Sequence, residues 1–148
     1  EYAAAMIDWQ DTDAIKAAID LIVSVFDDPL KYSRQRIASE LTPLSPPHDR
    51  RFFAIWIDGR MAGVGGVKSA DWASNTHILY LSAVDAAYRG QGIGRALIEA
   101  RIAWVQGSHA NGRILVSTMK HRRYRRLGFS GLPSHHSESA KLMYLDYS

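Results

Sequence analysis

The segment from Val84 to Arg95 reads V-D-A-A-Y-R-G-Q-G-I-G-R, and it lies between an apolar run and a helical pattern. A strand, a glycine-rich turn and a helix in this order form a cradle for anions. Glycines let a ligand approach the backbone, and the first amides of a helix have no partner within it. The positive end of the helix dipole adds to the attraction. The segment therefore predicts a site for a phosphate or pyrophosphate group.

The spacing of the glycines excludes the two most familiar phosphate loops. The dinucleotide fingerprint G-x-G-x-x-G/A needs a small third residue, but that position is Arg95 when counted from Gly90 and Leu97 when counted from Gly92. The triphosphate loop G-x-x-x-x-G-K-[ST] does not occur in the chain. What remains is the pattern R-x-x-G-x-G, which begins at Arg89.

The composition is that of a globular protein with a core of ordinary size. The 148 residues suit one domain over residues 1–148, and 47% of them are hydrophobic and 22% charged. No apolar run reaches the roughly 20 residues that span a bilayer, and no secretory signal is recognisable. The absence of cysteine excludes disulfides, thiolate zinc sites and a cysteine nucleophile. We therefore expect a cytoplasmic protein that does not need a membrane.

Hydrophobic periodicity predicts a mixed α/β (α+β) chain in the order β-α-α-β-β-β-α-β-α-β, with one more short strand possible near Phe129. A weaker second helix covers residues 31–41, and Asp58-Gly59 is typical of a type I′ hairpin turn. Antiparallel strands early and crossovers late indicate a mixed, mostly antiparallel central sheet with helices on both faces. The first helix carries an apolar stripe formed by Ile15, Ala18, Ile19, Ile22 and Phe26. A bulge, or the close approach of a neighbour, is expected at Gly63, Gly65 and Gly66.

The R-x-x-G-x-G pattern, with Val84 and Tyr88 upstream, resembles the coenzyme A pyrophosphate loop of the GNAT superfamily of N-acetyltransferases. The predicted element order matches the GNAT fold over nearly the whole chain. A second segment, from Tyr124 to Phe129, has the tyrosine followed by Leu-Gly-Phe that GNAT proteins commonly carry. The resemblance implies an acetyl-CoA-dependent N-acetyltransferase that uses no metal.

The resemblance also implies a mechanism. An amine attacks the thioester carbonyl of acetyl-CoA directly, and the tetrahedral intermediate expels the CoA thiolate. In this pattern Tyr124 is the general acid. An alkyl thiol has a pKa of about 8.5 and a phenol of about 10, so proton transfer from the phenol to the departing sulfur is roughly matched. The alternative is that Tyr124 only packs its helix onto the sheet.

The cofactor-binding residues follow from the same resemblance. The pantetheine arm pairs with the fourth strand, beside a bulge whose backbone N–H stabilises the oxyanion, and the match falls on Leu81, Ser82, Ala83 and Val84. The pyrophosphate loop comprises Arg89, Gly90, Gln91, Gly92, Ile93, Gly94 and Arg95. The chain departs from the family pattern near the tyrosine. Where the family commonly has an asparagine, this chain has Ser117, whose hydroxyl still offers one hydrogen bond. Lys120 replaces a small residue, and Arg123 replaces an aromatic one.

The base that deprotonates the acceptor ammonium is undetermined. The family often uses a glutamate in the fourth or fifth strand, and the corresponding stretches of this chain contain no acid. His77 is a candidate because its ordinary pKa is about 6.5, and Tyr80 and Asp71 are poorer ones. The alternative is that His77 is a surface residue at a strand end.

Charged clusters elsewhere have several interpretations. Most basic side chains at residues 120–126 are expected to be solvated, and one or two to contact the 3′-phosphate of CoA. Nucleic-acid binding is the third interpretation, which a net charge of only +3 argues against. His135-His136 has no partner at metal-ligand spacing and is expected in a loop near the site mouth. Asp27 and Asp28 either attract a cationic amine or end a helix.

Three functions remain, in order of preference. The first is an N-acetyltransferase that acts on an unidentified primary amine. The second is a catalytically silent CoA-binding regulatory or sensor module, and the third is a nucleic-acid-binding domain. The acceptor, the acyl chain length and the oligomeric state, a homodimer included, are left open.

Overall fold

A computed structural model describes residues 2–133 and 140–148. The strands and helices follow each other along the chain as β1 (Ala5–Met6), α1 (Thr12–Phe26), α2 (Arg34–Glu40), β2 (Arg50–Ile57), β3 (Arg60–Ser69), β4 (Thr76–Val84), α3 (Ile93–Ser108), β5 (Gly112–Thr118), α4 (His121–Arg126), β6 (Ser130–Gly131) and β7 (Lys141–Tyr147). A 3₁₀ turn at Ala86–Tyr88 separates β4 from α3. The predicted order is confirmed, and β6 is the additional short strand.

The strands form one sheet in the order β1-β2-β3-β4-β5-β7-β6. Only β4 and β5 run parallel, and every other neighbouring pair in the described residues is antiparallel. One apolar cluster joins the sheet to α3 and α4, and another joins it to α1 and α2. The predicted mixed sheet with helices on both faces is therefore confirmed.

Local chemistry explains the boundaries of the early elements. Asp58 and Gly59 both have positive φ, 51° and 76°, as a type I′ turn requires. The carboxylate of Asp11 accepts a hydrogen bond from the amide of Ala14 at 3.0 Å and caps α1. The buried face of α1 is rotated from the predicted stripe, because the helix packs onto the sheet through Ala14, Ala18, Leu21 and Ile22.

Helix α3 lies unusually close to β3. A Cβ on Gly63 would lie 2.6 Å from Cγ2 of Ile93, and one on Gly65 would lie 2.6 Å from Cζ of Arg101. Glycine is therefore required in this strand so that the helix can approach it, as expected. None of the described helices is both long and apolar enough to cross a bilayer.

Candidate active site

Strands β4 and β5 diverge in the middle of the sheet. Their parallel pairing runs from Thr76 opposite Arg113 to Leu79 opposite Val116, and no further pair is formed among the described residues. Strand β4 nevertheless continues to Val84. One edge of residues 80–84 is therefore left without its β5 partner, and we call this opening the splay. An extended ligand can add there as an extra strand.

A β-bulge lies at the splay. Val64 of β3 pairs with Ala83 and Gly66 pairs with Tyr80, so that two residues of β4, Leu81 and Ser82, oppose one residue of β3. Leu81 has a φ of 51°, a value uncommon for a side chain of this size. The bulge lies in the strand and at the position implied by the resemblance.

The glycine-rich turn after β4 forms a cradle. Gly90 and Gly92 have φ of 79° and 84°, and Gly92 caps α3 without a side-chain hydrogen bond. The first backbone hydrogen bond of the helix runs from Ala96 to Gly92, at 3.1 Å. The amides of residues 93–95 precede that bond and are free to bind an anion.

The predicted pyrophosphate residues differ in what their side chains do. Arg89 and Arg95 are exposed. The hydroxyl of Tyr2 donates to the Gln91 side-chain oxygen at 2.7 Å, which ties Gln91 to the start of the described chain. Ile93 is 1% exposed and packs in the core. Ile93 therefore offers an anion its amide but not its side chain.

The tyrosine motif folds back on itself. The backbone oxygen of Tyr124 accepts hydrogen bonds from the amides of Leu127 and Phe129, each at 3.0 Å, and Gly128 turns the chain with a φ of 99°. The rings of Tyr124 and Phe129 pack edge to face at 5.2 Å. This geometry explains the spacing of the motif, because the turn returns the chain so that the Phe129 ring packs against the Tyr124 ring.

The phenol of Tyr124 is buried beside the bulge. Burial raises its pKa, while the guanidinium groups of Arg101 and Arg123 and the hydroxyl of Ser82 act in the opposite direction. The fold thereby brings Tyr124 together with Ser82, two predicted residues that lie far apart in sequence. A buried phenol with a raised pKa keeps its proton at neutral pH, as a general acid must.

Helix α4 also reaches the cradle. A Cβ on Gly94 would lie 2.6 Å from Nη1 of Arg123. The guanidinium therefore covers the first turn of α3, although Arg123 stands where the family usually has an aromatic residue. Ser117 is exposed on β5, one residue beyond the last pair with β4, on the opposite wall of the splay.

His77 lies away from the splay. It is 2% exposed, so the surface interpretation is wrong, and its Nε2 lies 2.8 Å from Oδ1 of Asp49. The ring of His109 packs beside it, with centroids 4.6 Å apart. His77 precedes Ser82 by five residues of β4, which is about 16 Å of extended chain. The structure therefore gives His77 a partner in Asp49 instead of a place at the bulge.

Sequence reasoning missed Glu40 at the end of α2. Its Oε1 accepts a hydrogen bond from the Tyr80 hydroxyl at 2.6 Å and lies 2.9 Å from Nη1 of Arg50 and 3.5 Å from Nζ of Lys68. Burial raises the pKa of Glu40, but these donors lower it further, and the net pKa is below the usual value. Burial and the Glu40 carboxylate raise the pKa of Tyr80, so its phenol stays protonated at neutral pH and does not accept a proton from the acceptor.

The remaining charged motifs have plainer roles. Asp27 ends α1 in the left-handed conformation with a φ of 46°, and the Asp28 side chain accepts a hydrogen bond from the amide of Lys31. Asp27 therefore ends the helix, and Asp28 stabilises the turn that follows it. His135-His136 lies outside the described residues. The basic side chains on α4 and at Lys120, the residue before it, are mostly exposed, as expected for a solvated face. The exposed ones are Lys120, Arg122, Arg123, Arg125 and Arg126.

Solved structures share this architecture. ElaA from Escherichia coli aligns with a TM-score of 0.79 and 14% identity, covering 97% of this chain and 99% of that chain. An acyl-CoA N-acyltransferase from Pseudomonas aeruginosa aligns with a TM-score of 0.77 and 18% identity, over 97% and 99% of the two chains. The PaiA N-acetyltransferase from Thermoplasma acidophilum, solved with coenzyme A, gives 0.68 and 14%, over 99% of each chain. At these identities the likeness shows the fold alone.

Sequence comparison identifies the family. No curated protein matched the sequence. The model described as the acetyltransferase (GNAT) family matches residues 6–129, which contain the cradle, the bulge and Tyr124. The chain therefore belongs to the GNAT family of acetyltransferases, which use acetyl-CoA.

Proposed function

We propose that this chain is an N-acetyltransferase that transfers acetyl from acetyl-CoA directly to a primary amine of its acceptor. The observation that carries the proposal is the position of the buried Tyr124 phenol beside Ser82, at the bulge of the splay. A cradle alone would suit any CoA-binding protein. A proton donor held at the place where a thioester would lie suits acyl transfer.

The proposed cofactor site follows the walls of the splay. The amides of residues 93–95 bind the pyrophosphate, and Arg89, Arg95 and Arg123 supply positive charge around it. The pantetheine arm lies along residues 81–84 as an added strand, and Ser117 offers a hydroxyl from the other wall. Gln91 contributes to this site through its backbone, since its side chain accepts a hydrogen bond from Tyr2.

The proposed reaction needs no covalent enzyme intermediate. The neutral amine attacks the thioester carbonyl, and a C–N bond forms as the carbonyl oxygen becomes an oxyanion beside the backbone N–H groups of the bulge. Removing such a donor typically costs about 10²–10³ in rate. The C–S bond then breaks, and Tyr124 gives its proton to the thiolate. The acceptor nitrogen, which is positively charged after the attack, loses a proton, and this proton replaces the one that Tyr124 gave to sulfur, so that the products are the amide and the CoA thiol.

The organisation around the site belongs to the same proposal. One sheet includes strands from β1 to β7, which supports a single domain over residues 1–148. Acetyl-CoA and an amine acceptor are the proposed partners. Cytoplasmic localisation, and function without a membrane or nucleic acid, stay predictions.

A thiol-release assay with acetyl-CoA and a panel of primary amines tests the proposal. We expect turnover with at least one class of amine, and a loss of about 10²-fold in kcat for Tyr124→Phe. CoA affinity, measured by calorimetry, should be nearly unchanged in that variant. Tyr144→Phe on β7 is the matched control and should keep full activity.

Two outcomes would contradict the proposal in different ways. Tight CoA binding without turnover on any amine would identify a silent CoA-binding module. Turnover that is equal in the wild type and in Tyr124→Phe would remove the general-acid role while leaving the acetyltransferase activity.

A further inference from the structure

Arg101 of α3 is the largest fully buried side chain in the described chain, with an exposed fraction of 0%. None of the ion pairs among the described residues includes it. Burying a guanidinium without a carboxylate is costly, and most buried charges are paired. An arginine at this place therefore needs an explanation beyond packing.

Hydrogen bonds to backbone oxygens hold the guanidinium in one position. Nε donates to the oxygen of Leu97 at 3.0 Å, and Nη1 donates to the oxygen of Gly66 at 2.9 Å. Nη2 has no hydrogen-bond partner in the described residues. Two nitrogens of the guanidinium are thus held by hydrogen bonds, and the third, Nη2, is buried and available to donate a hydrogen bond.

Strand β3 is shaped to admit this side chain. A Cβ on Gly65 would lie 2.6 Å from Cζ and 2.9 Å from Nη2 of Arg101, so that any larger residue would displace the guanidinium. Gly65 is also the residue that faces the bulge of β4. The guanidinium consequently lies next to the bulge. Leu97 and Ile98 of the same helix belong to one buried cluster with Tyr124, so Arg101 lies on the face of the sheet that also carries the phenol.

We propose that Arg101 is a positioning residue for Tyr124, holding the phenol toward the bulge and stabilising the negative charge on its oxygen during proton transfer. The inference rests on the proposed function. In the step concerned, the O–H bond of Tyr124 breaks and an S–H bond forms on CoA, so negative charge moves from sulfur to the phenol oxygen. The buried guanidinium is the cation placed to receive it. Tyr124 regains a proton before the next turnover, in balance with the proton that the acceptor nitrogen loses after it forms the C–N bond.

The electrostatics of the site agree with this role. Burial raises the pKa of Tyr124, which by itself makes the phenol a weaker acid toward a thiolate. The Arg101 and Arg123 charges oppose that effect. Arg123 is exposed and its charge is screened by water, whereas the charge of Arg101 is buried and is screened less.

A double-mutant cycle separates this role from a purely structural one. Arg101→Met keeps an unbranched apolar chain and removes the charge, and it is made in the wild type and in the Tyr124→Phe background. We expect kcat to fall 10-fold or more in the wild type and less than twofold in Tyr124→Phe, with CoA affinity unchanged within twofold. Arg101→Lys should recover part of the loss. Arg113→Met, at an exposed arginine on β5, is the control.

The same loss in both backgrounds would overturn the proposal, because Arg101 would then act without Tyr124. If Arg101→Met does not fold, Gly65→Ala takes its place in the cycle, since it moves the guanidinium and keeps the charge. A second measurement needs no turnover: the tyrosine ionisation seen by ultraviolet absorbance in the wild type but absent from Tyr124→Phe should move to higher pH in Arg101→Met. An unmoved ionisation would refute the electrostatic role even if the chain proved catalytically silent.

Discussion

Arg123 of α4 covers Gly94 of α3 so closely that a Cβ on Gly94 would lie 2.6 Å from its Nη1. This contact joins the two motifs that the sequence presents separately, the glycine-rich turn and the tyrosine segment. It also places a positive charge over the helix turn whose amides are free. The cradle therefore draws on α4 as well as on its own loop.

Arg123→Gln should weaken CoA binding about 10-fold, because one charge-assisted hydrogen bond to a phosphate is lost. The salt dependence of binding should also decrease. Calorimetric titration with CoA at several salt concentrations measures both. Arg122→Gln, at the exposed neighbour, is the control, and equal effects of the two substitutions would contradict a specific role for Arg123.

Gly92→Ala should lower both stability and CoA affinity. Gly92 has a φ of 84° with open space around it, so the cost of a methyl group comes from the backbone conformation alone and should be about 1 kcal/mol. Gly107 lies in the same helix without a positive φ, also in open space. Gly107→Ala should therefore stabilise the protein by about 0.5–1 kcal/mol. Urea unfolding measures the stability of both variants, and calorimetry measures their CoA affinity. The two substitutions must change the free energy of unfolding in opposite directions.

Glu40→Gln should destabilise the fold by about 2 kcal/mol or more, because it leaves the buried Arg50 without its carboxylate. Asp20→Asn provides the comparison. Asp20 pairs with Lys16 and Arg34 on the surface, and its loss should cost less than about 1 kcal/mol. Equal losses in urea unfolding would mean that the Glu40 pair behaves as a surface pair.

Acid should destabilise the protein through Asp49 and Glu40. Burial raises the pKa of Asp49, but hydrogen bonds from Ser69 and His77 lower it further, so that its net pKa, like that of Glu40, is below the usual value. Each carboxylate therefore stabilises the fold above its unfolded pKa of about 4, and this contribution is lost as the pH falls through the folded pKa. Urea unfolding from pH 6 to pH 3 should show this loss. Asp49→Asn should flatten the acid slope, and an unchanged slope would exclude Asp49 as a contributor.

The basic face of α4 should not bind nucleic acid at physiological salt. Arg122, Arg125 and Arg126 are exposed on one short helix, and the net charge of the chain is only +3. Fluorescence anisotropy with labelled DNA and RNA measures this. Binding that weakens steeply with salt would support the nucleic-acid interpretation instead.

Local patterns in the sequence were sufficient for the architecture. The Asp58-Gly59 turn and the glycine-rich segment each depend on residues within a few positions of one another, and both adopt the predicted conformations. The Tyr124 to Phe129 motif is also closed by local hydrogen bonds. The position of the bulge came from the resemblance, since nothing in Leu81 or Ser82 alone indicates an irregular strand.

The electrostatic environment of the site was decided by tertiary structure. Arg101 reaches Gly66 across 35 positions, and Tyr80 reaches Glu40 across 40. Sequence periodicity records only which side of a helix or strand a residue occupies, so it gave no sign that Glu40 is paired and left His77 as either a candidate base or a surface residue. The sequence by itself determined the fold and its cofactor. The packing of α3 under β3 decided that the buried charge of Arg101 acts on Tyr124, because that depends on contacts between segments that are distant along the chain.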